Sequence, residues 1–164
     1  MKEVWQKISA AIVDHLVNGK DLVLPELKED HKGAFLALFD KKGDLIGEVK
    51  VLQDGLADLS ETLRQLCKNA EEEKKRKECV AVHLCVIKGA IHIRNPLEWD
   101  ASRDGVCFQW GNRYRGFLMP YEIALMGGDK IRIMDRLSSR MSLPSSLWKI
   151  PESMTFKIAV DWYR

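Results

Sequence analysis

The chain lacks the short motifs that usually announce a chemistry. Its four cysteines, Cys67, Cys79, Cys85 and Cys107, include no C-x-x-C pair. That spacing argues against a structural zinc site built on closely paired thiolates and against a thioredoxin-type redox centre. No G-x-S-x-G elbow, P-loop or G-x-G-x-x-G turn is present, which removes the common signatures of serine hydrolysis and phosphate cradling. No run approaches about 18 apolar residues, so no membrane-spanning helix is expected. The first residues carry no long apolar stretch of the signal-peptide kind, and the expected address is the cytoplasm. There, four thiols stay reduced. One-sided charge is also missing: 26 Lys and Arg stand against 24 Asp and Glu, a net +2. A balance so small excludes a uniformly basic nucleic-acid or membrane binder and leaves room only for a local patch.

What the chain does have is the profile of an ordinary globular protein. It has 164 residues, 46% hydrophobic and 30% charged. That length suits one domain spanning residues 1–164 with a sizeable core and no need of disulfide staples.

Periodicity then divides the chain. Trp5, Ile8, Ile12 and Leu16 recur at steps of three and four, which predicts a helix over residues 3–17. Gly33–Phe39 is a short apolar run and Leu45–Leu52 a returning strand after Lys41-Lys42-Gly43-Asp44, the pattern of an antiparallel hairpin. Leu56, Leu59, Leu63, Leu66 and Ala70 share a helical face, with Asp58 and Glu61 as a capping box. The charged run Glu71–Glu78 reads as a continuation of this helix, because its acids precede its bases by four residues.

Cys79–Ile87 reads as a buried strand, Lys88-Gly89 as a turn, and Ala90–Arg94 as the returning strand. Val106–Trp110 and Arg113–Met119 flank Gly111-Asn112, a hairpin signal. Pro120 suits a helix start, Gly127-Gly128 a stop, and Asp129 the cap of a further helix that Pro144 ends. Residues 154–163 alternate as a half-buried strand. Helices and hairpins without regular βαβ alternation place the chain in the α+β class, with mainly antiparallel sheet and flanking helices.

Few side chains suggest a site. Cys79, His83 and Cys85 share one parity, and His83 with Cys85 would lie about 7 Å apart along a strand. Without a second ligand pair, a core strand with buried thiols is the better reading, and no metal or other cofactor is implied. Arg113 and Arg115 beside Gly116 are the best polar cluster, because a guanidinium pair can hold a carboxylate or phosphate. Trp99, Trp110, Trp148 and Trp162 read as core or rim residues, with base stacking as the alternative.

Several segments together resemble the AMMECR domain family. Gly33-Ala34-Phe35-Leu36-Ala37-Leu38 resembles its first core strand, and Leu97-Glu98-Trp99 with Asp104-Gly105-Val106 its loop before a late hairpin. Arg115-Gly116-Phe117-Leu118-Met119-Pro120 with Glu122-Ile123-Ala124 is similar to its RG-x-LLP-x-VA segment. Leu137, Leu143-Pro144 and Trp148-Lys149 resemble its L-x-x-KAGLP-x-x-x-W segment. The family's Leu-Arg-Gly-Cys-Ile-Gly signature is replaced by Leu45-Ile46-Gly47-Glu48-Val49-Lys50, which keeps the leucine and first glycine and loses the arginine and cysteine. An activity resting on that arginine or thiol should therefore be absent.

The resemblance implies a compact α+β fold in which the signature strand and the late hairpin share a cleft. It also implies a cytosolic binding or accessory module, associated with a Memo-like protein and a radical-SAM enzyme. Gly47, Glu48, Arg113, Arg115 and Gly116 are the corresponding ligand-binding candidates. Two alternatives stand beside this: a small-molecule enzyme with Glu48 as general base and Arg115 as anion clamp, and an RNA or single-strand-binding domain.

Overall fold

The computed structural model describes residues 2–52 and 58–164. The fold is α+β, as expected, with helices at Lys2–Asn18 (α1), Leu59–Ala70 (α2), Pro120–Leu125 (α3) and Lys130–Arg140 (α4). The strands are Gly33–Phe39 (β1), Leu45–Leu52 (β2), Ala81–Ile93 (β3), Gly105–Trp110 (β4), Tyr114–Leu118 (β5) and Met154–Tyr163 (β6), in the order β2-β1-β3-β6-β4-β5. Contacts divide the chain into two compact units, residues 1–88 with 161–164, and residues 89–160.

In the first unit, β1 pairs antiparallel with β2 on one side and β3 on the other. Ala34, Leu36 and Leu38 point into a core shared with Trp5, Ile8, Ile12 and Leu16 of α1 and Leu63 and Leu66 of α2. The stripe of α1 foreseen from its period is the one buried. Every residue of β1 is buried, because its run has no polar side chain to offer to water. His31 is also buried; its Nε2 lies 2.8 Å from the Thr62 hydroxyl and its Nδ1 3.0 Å from the Glu29 carbonyl. The foreseen apolar position Leu56 falls outside the described residues.

Three expectations fail here, the first two for a tertiary reason. The charged run does not prolong α2: the helix ends at Ala70, and a short 3-10 turn occupies Arg76–Glu78. The last turn tightens, with the Glu72 and Glu73 amides donating to Asn69 and Ala70. Meanwhile the Glu71 carboxylate binds His15 Nε2 at 2.7 Å, across to α1. One inter-helix contact and the need to return to β3 outweigh i,i+4 pairs worth about 0.2–0.5 kcal/mol each.

Nor does the chain turn at Lys88-Gly89, because β3 runs unbroken through both residues. Gly89 does not take a positive φ. The Lys88 ammonium contacts Glu29, the Asp30 carbonyl and Asp161, which holds the strand extended. Cys79 precedes the strand, where its thiol donates to the Ala81 carbonyl, so it does not share the strand with His83 and Cys85.

In the second unit, β4 pairs antiparallel with β5 and with β6. Val106, Phe108 and Leu118 face a core with Ile123 of α3, Ile133, Met134 and Leu137 of α4, and the buried Trp99 and Trp148. Trp148 Nε1 donates to Asp135 at 2.8 Å. Pro120 opens α3, positive φ at Gly127 and Gly128 separates it from the next helix, and Asp129 accepts from the Arg132 amide to cap α4. That helix stops at Arg140, before Pro144. The hairpin loop is longer than the two residues expected: Trp110 pairs with Tyr114, so Gly111, Asn112 and Arg113 form a three-residue turn with Gly111 at φ 60°. Arg113 therefore lies in the turn and does not alternate with Arg115 on the strand.

Candidate functional site

Of the sequence-predicted residues, Glu48 and His83 share a sheet face in the first unit and Arg115 lies on one in the second. In the first unit, Val49 is buried and its neighbours Glu48 and Lys50 are exposed. The register sets Ala37 opposite both Glu48 and His83. Paired residues share a face, so a carboxylate and an imidazole stand on one row with only a methyl between them. Their backbones lie about 10 Å apart, twice the spacing of neighbouring strands. Gly47 points the opposite way, where a Cβ would come within 3.2 Å of the Glu73 side chain.

Aromatic rings wall this row. Phe39 lies 4.5 Å from the His83 ring, and Trp162 meets it edge-on at 5.9 Å. The Arg164 guanidinium sits 4.2 Å over Trp162. Both His83 Nδ1 and Trp162 Nε1 are buried with no hydrogen-bond partner among the described residues. Burial, and then the positive charge of Arg164, lower the His83 pKa. Hence the imidazole favours its neutral form, with one nitrogen able to accept a proton.

Cys85 shares this face, one pair along from His83, and is fully buried. Among the described residues no group of three or more His, Cys, Asp or Glu is arranged to hold a metal ion. All four thiols are buried, and burial raises three of their pKa values: Cys79, Cys107, and Cys67, which is pushed up to about 12 with help from the Glu71 charge. Thiols of this kind are poor nucleophiles.

In the second unit the notable face is the side of the sheet away from its helices. Val106 and Phe108 point into the core, so alternation turns Cys107 and Gln109 outward from it. Cys107 pairs with Phe117 and Phe156, and Gln109 with Arg115 and Met154. The exposed Arg115 guanidinium lies near the Cys107 thiol and partly offsets the effect of burial on it. His92 joins the surface, its ring 5.4 Å from Phe156. Gly116 faces the other way, against Met141.

Sequence reading located Glu48 and Arg115 and missed their neighbours. Phe156 and His92 belong to this second face only through register, and no local motif marks them. Glu48 belongs to the first unit and Arg115 to the second, and each is placed by its own strand. A separate open groove of about 400 Å³ runs along α1, lined in part by Trp5, Ser9, Val13, Val80 and Arg164. None of the sequence-predicted residues lines it.

Comparison with known proteins reports on the fold. No family model matches the chain, and no curated protein does. Among solved structures, the crystal structure of the uncharacterized protein PH0010 from Pyrococcus horikoshii is similar, with a TM-score of 0.69 at 20% identity. The match covers 98% of this chain and 89% of that one. At that identity the likeness establishes a shared fold and nothing about activity.

Proposed function

We propose that this chain is a divergent AMMECR-like binding module of the cytoplasm, acting as accessory to a partner enzyme. The observation that carries this reading is the contrast between its thiols and its exposed polar groups. Every cysteine is buried, while Glu48 and Arg115 face solvent as recognition groups. At the place of the family's signature cysteine stands Glu48, a side chain suited to hydrogen bonding and ion pairing. Two of the segments that carry the resemblance fall at a strand-to-helix junction and in a short turn. Arg115–Pro120 leads from strand β5 into α3, and Leu147–Lys149 forms the short turn after Pro144.

The family resemblance supplies the partners to try first, a Memo-like protein and a radical-SAM enzyme. Purified chain would be mixed with each and the complex measured by size-exclusion chromatography and calorimetry at low and moderate salt. A salt-resistant complex, weakened by Glu48→Gln or Arg115→Ala in a folded variant, supports the reading. Absence of a complex with either protein counts against it.

A second reading is favoured by one observation, the row joining Glu48, Ala37 and His83. A carboxylate and a neutral imidazole on one surface are the elements of general acid–base catalysis. On this reading Glu48→Gln abolishes turnover of a metabolite in a mass-spectrometric screen of small-molecule pools. Equal turnover by a folded Glu48→Gln variant would remove Glu48 as the base.

A further inference from the structure

We propose that the second unit's sheet face away from its helices binds single-stranded nucleic acid, with bases stacked on Phe156 and His92 and phosphates held at Arg115. This goes beyond the accessory-module reading, with which it shares Arg115 alone; Phe156, His92 and Gln109 have no part in that reading.

Register assembles the surface. Phe156 pairs with Cys107, and the His92 ring lies 5.4 Å from the Phe156 ring at 56°. One pair further along, Gln109 sits between Arg115 and Met154. Two residues along a strand span about 7 Å, so the guanidinium lies one short step from the aromatic row. Phe156 is half-buried, while His92, Met154 and Arg115 are exposed. Four strands thus contribute rings, an amide and a guanidinium to one side of the sheet.

Charge selects the kind of occupant. None of the strand residues on this face, in β3, β6, β4 or β5, is Asp or Glu. Within residues 89–160 there are ten Lys and Arg against seven Asp and Glu, a net charge of +3. The rest of the chain has 16 against 17, a net −1. The whole-chain balance of +2 therefore conceals a basic unit, and the fitting partner is an anion.

The rings narrow the choice further. Stacking on protein aromatics requires unpaired, splayed bases, which a duplex does not present. Arg115 lies near the Cys107 thiol and, with five N–H groups, has donors for a phosphate. Gln109, which can both donate and accept, suits a base edge. An acidic peptide would satisfy Arg115 and leave the rings without a stacking partner.

The test is fluorescence anisotropy with a short labelled oligouridine, titrated at several salt concentrations. Binding should appear at low salt and weaken as salt rises, with a slope of about −0.7 per phosphate neutralised. Phe156→Leu should weaken it by roughly five- to hundred-fold, the usual value of one stacked base. His92→Ala repeats that test at an exposed position that does not endanger the fold. Arg115→Gln should lower the salt slope by about one contact, whereas Arg136→Gln on α4 should leave affinity within about two-fold.

Four outcomes would overturn the proposal: no binding at low salt, a duplex bound as tightly as the single strand, poly-glutamate displacing the probe as well as unlabelled oligouridine does, or loss in Arg136→Gln equal to that in Arg115→Gln.

Discussion

Glu48 and His83 stand on one row of the first unit's sheet, two strands apart, with Ala37 between them. Thirty-five positions separate them in the chain. Glu48 thus has a titratable neighbour that no sequence motif connects to it. Small size at Ala37 matters, because a larger side chain there would stand between the two groups.

The environment of His83 makes stability sensitive to acid. Burial and the Arg164 charge hold its folded-state pKa below the ordinary 6.5, with Phe39 and Trp162 packed against the ring. As pH falls, the unfolded chain therefore takes up the proton first, and the equilibrium moves toward unfolding. The effect is absent above the ordinary value, grows below it, and is complete once pH lies below the folded value. Thermal melts of wild type and His83→Gln between pH 8 and pH 4 should show a smaller acid-side decline in the variant. Parallel curves would remove His83 as the source.

The thiols should be inert in the folded protein. With a pKa of about 12, Cys67 is thiolate at only about one part in ten thousand at pH 8. Cys79 and Cys107 are shifted in the same direction. A thiol-disulfide reagent at pH 8 should react slowly with the native chain and with all four cysteines in denaturant. A single fast native thiol would identify a reactive site and weaken the binding-module reading.

Gly33 should tolerate no side chain. Its φ is 142°, and a Cβ would fall 2.6 Å from the Val51 carbonyl oxygen on the paired strand. Gly33→Ala adds strain of about 1–3 kcal/mol to that clash, and a chemical-denaturation midpoint well below wild type is expected. Gly43→Ala is the matched comparison. That glycine also has a positive φ, of 83°, but a Cβ there meets nothing within 4 Å, so its cost should be close to 1 kcal/mol.

Trp148 tests the second unit by itself. Its indole is buried and donates to Asp135. Trp148→Phe keeps most of the apolar volume and removes that bond, which should cost about 1.5–3 kcal/mol for a bond to a charged acceptor. A melt that shifts only marginally would show that water replaces the indole.

Local signals proved readable wherever one residue type has one physical consequence. Pro120 at a helix start, the left-handed Gly127-Gly128 break and the Asp129 cap each act within a few residues, and each formed as read. The apolar period of α1 and the runs of β1 and β2 were equally legible, because a buried stripe repeats at the helical or strand period whatever it packs against. Lys88-Gly89 looked like a turn because glycine permits one. In the folded chain, ion pairs to Glu29 and Asp161 hold the strand straight through it. The run after Ala70 looked helical because its charges are spaced for a helix, yet Glu71 reaches His15 on α1.

Of the candidate site, Glu48, Arg115 and His83 could be named from sequence, but their companions could not. The sequence by itself determined the element types, most of their ends and the α+β class, since these follow from propensity and period over short distances. Only the tertiary structure decided that Glu48 shares a row with His83, that Phe156 and His92 join Arg115 on one face, and that Arg113 belongs to a turn. Those relationships rest on cross-strand register, which is fixed by packing between segments far apart in the chain, and shifting a strand by one residue would turn each of its side chains to the opposite face.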